Sequence, residues 1–489
     1  MSAPHQDEMD DAPELLDADD ALEEIEDAEG DIAMDSDEEP EEISLQNDSI
    51  AYFDAHKDSV FAIAQHPTQP ALIATGGSEG DGDDAPGKGY VFDTSPVIGR
   101  PVLPASYNSD PAQPQKNTKL TPLFTIEGHT DSINALTFTL PNGEFLVSGG
   151  MDGRLRAYKL AIDAHDKPSL TFLAESQEVP EVNWLAACPS PKFPNTIAIG
   201  ASDGSVWVYT IDASDSTNPM QIVQSYFLHT EACTAGAWSP DGTFLATVSE
   251  DSSLYVWDVW GEAAAKSLVN DNGLTVVGLT NQDQRFNVEG GLYSVAIDPK
   301  STFVAVGGAG GAIKIVGLPR IDSDAQPMSS KQSKSKAKGA DAGGTQGGTI
   351  LADLHTQADG IESLHFSTKQ TLLAAGSVDG SIAVYDTSRR FAVRRHIKEA
   401  HEEFSVVKVE FVASGLGDGW LLTSCGMDGV VRRWDVRGAA SSTESSLVRE
   451  WKGHRGDGEG GGVLGFVQGA TGERIVTAGD DGVVLVFEA

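Results

Sequence analysis

The sequence predicts an all-β fold, an eight-bladed propeller closed on itself and preceded by a disordered acidic tail. Three observations predict it. A strand–turn–strand–tight-turn–strand unit recurs eight times, and the chain starts and stops on complementary fractions of that unit. The first 48 of the 489 residues have a composition that cannot bury a core.

The tail comes first. From Asp7 to Glu42 it holds twenty Asp or Glu and no Lys or Arg, with few bulky apolar side chains. Like charges repel and nothing pulls the chain together, so 1–48 is expected to be disordered. Residues 49–489 carry the pattern.

The clearest copy of the unit is LHTEACTAGAWSPDGTFLATVSEDSSLYVWDV, residues 228–259. A His precedes a short alternating run, a PDG turn leads to a second run, and an acidic tight turn leads to a third that ends in WD. Period-2 alternation between turn residues means antiparallel strands. Recurrence at roughly 40–50 residues means propeller blades, here of the WD-repeat type. The remaining copies cover 55–94, 128–160, 178–211, 290–318, 360–387, 400–436 and 453–488.

The ends explain closure. The last copy stops at its third strand, VVLVFEA, and SIAYFDAH (49–56) is an outer strand with no blade before it. Pairing the two shuts the ring and removes an open sheet edge. Two insertions, 95–119 and 320–348, each follow a third strand and are expected to be flexible. The second carries SSKQSKSKAKGADAGGTQGG, read as a linker, with a nuclear-localisation or contact segment as the alternative.

His56, His129, His229, His355, His401 and His454 stand at one phase of the repeat, before the first strand. Asp152, Asp203, Asp251, Asp379, Asp428 and Asp481 stand in the tight turn. Complete blades add a hydroxyl and a Trp, giving the sets His229–Thr247–Asp251–Trp257 and His401–Thr423–Asp428–Trp434. Such a set makes a buried relay from indole through hydroxyl and imidazole to carboxylate. The phase of these residues makes them structural, since residues at repeat phase serve the repeat. Blade five departs, with Gly310 where the Asp belongs and Val316 where the Trp belongs, and blade one has a loop at 78–89 instead of the usual turn.

Nothing favours catalysis. No G-x-S-x-G elbow accompanies the Ser, His and Asp content, and GEGGGVLG (458–465) lacks the GK[ST] of a phosphate loop. No metal or cofactor set is expected. The cysteines Cys188, Cys233 and Cys425 lie far apart, which fits a reducing compartment. No run approaches the roughly 18 apolar residues of a membrane span, and the acidic N-terminus is unlike a signal peptide. A cytoplasmic or also nuclear monomer is expected. A net charge of −41 argues against direct nucleic-acid or membrane binding and for a basic partner, with solubility alone as the bland alternative.

The His loops and Asp turns of a propeller share one face. Acids there that fall outside the relay are candidate partner contacts: Asp58, Asp131, Glu231 and Glu403 two residues past the His, Glu250 and Asp480 beside the turn Asp, and Glu181 and Glu362 near the first strands. The loop SEGDGDDAPG (78–87), Asp457 and Glu459 add to the same face. An acid two past the His is ordinary in such repeats, so Asp58 and Asp131 say little alone. Together the acids would focus a negative field that receives a basic segment.

SIAYFDAHKDSVFAIAQHP, QEVPEVNWL, GASDGSVWVY, GIESLHFS and VTAGDDGVVLVFE resemble the fungal WD-repeat chaperones dedicated to one late-joining large-subunit ribosomal protein, L-ten of the universal L-sixteen family. The same motifs are similar to the animal angio-associated migratory cell protein. The resemblance covers nearly the whole chain after the tail. It implies an escort that catches the basic N-terminal segment of L-ten, also as a nascent chain on the ribosome, and carries it to the pre-60S particle. It also implies that Glu181, Glu231, Glu362 and Asp480 belong to the acidic client surface. The alternatives are a general scaffold or substrate adaptor for another basic protein, and a histone-binding propeller.

Overall fold

The computed structural model describes residues 46–80, 82, 85–97, 118–162, 168–321, 347–415, 419–438, 446–456 and 461–489. The acidic tail up to residue 45 and the cores of both insertions, 98–117 and 322–346, lie outside the described residues, as do Asp81, Asp83, Asp84, Asp457 and Glu459.

Seven four-stranded antiparallel sheets and one five-stranded sheet make eight blades. The inner strands run Ala62–Gln65, Ile133–Phe138, Val182–Ala187, Cys233–Trp238, Leu292–Ile297, Ile361–Phe366, Val406–Phe411 and Val463–Val467 for blades one to eight. Each touches the inner strand of the next blade, and the last touches the first. The ring is therefore closed around these strands.

Burial follows position in the ring. The second strand of blade four, Phe244–Ser249, is buried at every residue because neighbouring blades cover both of its faces. The outer strand of blade five, Ile350–His355, alternates half-buried and exposed, since solvent takes one side. Close approach between blades needs small residues. A Cβ on Gly149 would sit 2.6 Å from Val182 Cγ1 of the next blade, and one on Gly376 would sit 2.8 Å from Val406 Cγ1.

Side chains of the inner strands also stitch five of the blades to the next. Asn134 Nδ2 donates to the Val182 carbonyl at 2.7 Å, Asn183 Nδ2 to Cys233 at 3.1 Å, and Thr234 Oγ1 to Leu292 at 2.6 Å. Ser294 Oγ donates to Ile361 at 2.7 Å, and Lys408 Nζ donates to Phe466 at 2.8 Å.

The ring closes as the two chain ends require. Ala51–Phe53 pairs antiparallel with Val484–Glu488, with Ala51 opposite Val486 and Phe53 opposite Val484. Phe53 is buried and stacks on Phe92 at 4.6 Å, so the closure strand is held by apolar packing as well. One expectation is amended here. The end of the 95–119 insertion is ordered: Thr118–Lys119 runs parallel to the closure strand and covers its free edge.

The buried relays form, with three corrections. In blade four the Trp257 indole donates to Thr247 Oγ1 at 2.8 Å and His229 Nε2 meets the same hydroxyl at 2.8 Å. His229 Nδ1 then meets Ser253 Oγ at 2.6 Å and lies 4.0 Å from Asp251, so a serine intervenes before the carboxylate. In blade seven the hydroxyl is Ser424, not Thr423. Trp434 Nε1 donates to Ser424 Oγ at 2.8 Å, and His401 bonds Ser424 at 2.7 Å and Asp428 at 2.8 Å. Strand alternation sends Thr423 to the opposite face, where it donates to Gln468 Oε1 at 2.7 Å.

The third correction is His355. It ends the outer strand of blade five, opposite Ala312, and pairs with Asp353 at 2.9 Å on the surface. Gln357 takes the relay position of blade six: it is buried, and its Nε2 donates to the Ser381 carbonyl at 2.9 Å and to Ser381 Oγ at 3.1 Å. In blade three the turn Asp203 accepts from the backbone N–H and the hydroxyl of Ser205 instead of from an imidazole. Blade five keeps no relay. Buried Val288 stands four residues before its inner strand, Gly310 fills the turn at φ +61°, and Val316 is buried among apolar neighbours.

Candidate functional site

The strand register puts Asp58, Asp131, Glu181, Glu231, Glu250, Glu362, Glu403 and Asp480 at one end of the blades. In blade four, Cys233 at the start of the inner strand pairs with Ser249 at the end of the second, and Val248 pairs with Leu254 at the start of the third. The loop before the inner strand and the turn between the second and third strands therefore leave the sheet together. The same register holds in blade two through Ile133 and Gly150, and in blade six through Ile361 and Ser377. Because the inner strands form the ring, this end of each blade borders one mouth.

The acids divide by what they already hold. Asp58 and Asp131 are half-buried and accept from the next backbone N–H, Ser59 at 2.8 Å and Ser132 at 2.6 Å. Each spends one carboxylate oxygen on shaping its own loop. Asp480 accepts from Ser59 Oγ, which also lies 3.4 Å from Asp58, so these two acids meet at the seam of blades eight and one. Glu231, Glu250, Glu362 and Glu403 are exposed and Glu181 is half-buried. Among the described residues none of these five makes an ion pair, whereas Glu79 in the blade-one loop is held by Lys57 at 3.0 Å and Lys88 at 3.4 Å.

The structure brings together two of the expected acids that lie far apart in sequence. Tyr293, at the start of the inner strand of blade five, feels Glu250 of blade four and Glu362 and Asp359 of blade six. Its hydroxyl is pushed above the usual value first by burial and then by those three carboxylates. Glu362 is likewise raised, mainly because its surroundings strip it of water and then because Asp359 carries like charge. A carboxylate held high by lost water and a like charge gains most from an arriving cation. Among the described residues no hydrogen bond or ion pair joins Glu181, Glu231 or Glu403 to this cluster; each stands on its own blade around the mouth.

Asp359 and Tyr293 were missed in the sequence. Asp359 had a signal, since it lies two residues past Gln357 as Asp131 lies two past His129. Reading His355 as the relay residue hid it. Tyr293 follows the first residue of its inner strand just as Glu362 does, a register that the bulge at Leu292/Ser294 makes visible only in the folded sheet.

His229 and His56 are buried inside their blades. Burial lowers His229 to about 4, with Asp251 opposing, and lowers His56 to about 4, with Glu79 opposing and Lys88 adding to it. They are neutral members of the fold.

The model of the WD domain, G-beta repeat, matches residues 120–159, 220–258 and 348–386. A crystal structure of Chaetomium thermophilum Sqt1 bound to the N-terminus of the ribosomal protein L10 is 63% identical to this chain. The two superpose with a TM-score of 0.79, over 91% of this chain and 100% of that one. The chain belongs to the Sqt1 family. The ribosome assembly protein SQT1 of Saccharomyces cerevisiae is 28% identical over 483 residues, which span 93% of this chain and 90% of the yeast protein. The angio-associated migratory cell protein of Pongo abelii is 24% identical over 445 residues, 90% of this chain and 80% of that protein. Membership of the Sqt1 family fixes the eight-bladed WD-repeat ring as a shared scaffold, and the chain spans nearly all of the C. thermophilum and yeast proteins.

Proposed function

We propose that this chain is a dedicated ribosome-assembly chaperone, which receives the basic N-terminal segment of the large-subunit ribosomal protein L10 on the acidic mouth of the ring. The observation that carries the reading is the gathering of Glu250, Asp359 and Glu362 around Tyr293: a Cβ on Gly360, next to Asp359, would lie 3.7 Å from Glu362 Oε1 and 3.9 Å from the Tyr293 ring, and no cation of the chain is paired to these acids among the described residues. A relative at 63% identity holds the L10 N-terminus, which supports the same client here.

The arrangement binds by summation. A single exposed ion pair contributes about 0.2–1 kcal/mol, so one client cation on one carboxylate would hold nothing. Several basic residues laid across the mouth would engage Glu181, Glu231, Glu250, Glu362, Glu403 and Asp480 from different blades. Long-range attraction to the acidic ring speeds encounter and makes binding sensitive to salt. Covering the client's basic segment keeps it soluble until it joins the pre-60S particle. We place the work in the cytoplasm, where the client is synthesised. No catalytic step belongs to it, since His229 and His401, which with Ser and Asp resemble triad material, are buried inside their blades.

The test is binding of the full chain to the N-terminal segment of L10, wild type against Glu362→Lys. Tight binding that weakens with salt and falls at least tenfold in the variant is the expected result. Equal affinity in both proteins would remove the mouth from the reading, and no binding at low salt would remove the client.

A further inference from the structure

The end of the ring opposite the mouth carries a feature of the other sign. Where the turns between inner and second strands of blades four, five and six emerge, two adjoining grooves share Pro299, Lys300, Thr302 and Arg320. One continues to Pro319 and Ile321, and the other to Phe366 and Lys369. Lys266 adds a fourth cation, its ammonium donating to the Ile321 carbonyl. All four cations are exposed.

Four exposed cations thus gather around adjoining grooves in a chain of net charge −41. Other cations in this part of the chain are neutralised: Arg285 by Asp283 at 2.6 Å, Lys314 by Asp353 at 2.7 Å and Arg389 by Asp386 at 3.7 Å. Lys266, Lys300, Arg320 and Lys369 make no ion pair among the described residues. The two carboxylates beside them are tied to their own turns, Asp298 buried and Asp241 exposed. Asp298 is buried and accepts from Phe303 N at 2.9 Å, Thr302 Oγ1 at 3.1 Å and Lys300 N at 3.1 Å. Asp241 accepts from Ser239 Oγ at 2.6 Å and Thr243 N at 3.1 Å. The fold thus spends its acids on the turns and leaves the cations facing out.

We propose that these grooves bind an extended, carboxylate-rich peptide segment of a partner protein, on the face opposite the basic client. The walls mix apolar Pro299, Pro319 and Phe366 with hydroxyl side chains such as Thr302 and Thr368, and Phe366 is braced edge-on by Phe303 at 5.6 Å. Apolar patches beside a cationic rim fit a chain of Asp or Glu with interspersed apolar residues. Three of the four cations are lysines set on separate turns, point charges that suit carboxylates spaced along a strand. A phosphate group would call for clustered, bidentate arginine. A groove between neighbouring turns admits a single extended chain. One protein would then hold a basic client at one end and an acidic partner at the other, which makes it a coupler as well as a sheath.

The experiment uses the full chain and a fluorescent twelve-residue peptide that alternates Glu with Leu, read by anisotropy at low ionic strength. A single-stranded RNA of equal charge is the second probe. The test variant is Lys300→Glu/Lys369→Glu, and the charge-matched control is Lys159→Glu/Lys192→Glu, on blades two and three. The expected result is peptide binding that the test variant weakens at least tenfold, the control leaves within twofold, and Glu362→Lys leaves unchanged. No peptide binding, equal loss in test and control, or tighter binding of RNA than of peptide would each overturn the proposal. Loss of L10 binding in Glu362→Lys tests the mouth separately, so failure of either reading leaves the other standing.

Discussion

Replacing Ser424 by Ala and Thr423 by Val separates two adjacent hydroxyls that face opposite sides of one buried strand. Ser424 accepts from the Trp434 indole and bonds His401 Nε2, at 2.8 and 2.7 Å, and all three residues are buried. Its loss strands an indole N–H and an imidazole nitrogen at about 1–3 kcal/mol each, so about 3 kcal/mol in all. Thr423 donates to Gln468 Oε1 at 2.7 Å and accepts from Arg433 Nε at 3.3 Å. When it becomes Val, Gln468 Oε1 keeps Arg433 Nη2 at 3.3 Å, and the cost is about 1 kcal/mol. Urea unfolding of the full chain, followed by circular dichroism and compared at a common slope, reads both. A Thr423→Val cost equal to or above that of Ser424→Ala would refute the relay as described.

Acid should weaken the fold before any carboxylate titrates fully. His56 and His229 stay neutral down to about 4 in the fold, while the unfolded chain takes up those protons near 6.5, so the stability each contributes is present above that value and is lost as pH falls from 6.5 towards 4. Each withdraws up to about 1.4 kcal/mol per pH unit in that window, and His229→Gln should remove one such share of the slope in urea midpoints taken from pH 7 to pH 5. Phe53→Ala, at the buried closure strand, should cost about 3–5 kcal/mol, against under about 1 kcal/mol for Phe172→Ala on an exposed outer strand. Gly376→Ala pushes a Cβ to 2.8 Å from Val406 and should cost about 1–3 kcal/mol, measured in the same assay; a neutral result would show that the blade seam yields.

The sequence by itself determined the architecture. Eight copies of one unit, each unable to bury both faces alone, have no stable arrangement short of stacking, and complementary half-blades at the two ends choose a ring over an open array. It also placed the contact acids on one end, because the alternation of strands and tight turns fixes which loops leave a sheet together. The relay was legible where the spacing was regular, as from His229 to Cys233, four residues on. It failed where the residue type was trusted over the spacing: His355 was taken because it is a histidine, while Gln357 holds the position four residues before Ile361.

Tertiary structure alone decided the rest. Whether Thr423 or Ser424 faces the indole depends on the register of a strand whose two faces are both buried, and burial on both sides erases the alternation that would have told them apart. Tyr293, Glu250 and Glu362 belong to three blades, 43 and 69 residues from the tyrosine along the chain, and only closing the ring sets them together. The cationic grooves arise the same way, from turns of separate blades brought side by side. Sequence periodicity is a local property of the chain, whereas a site built across blades depends on side-chain direction and on distances through space.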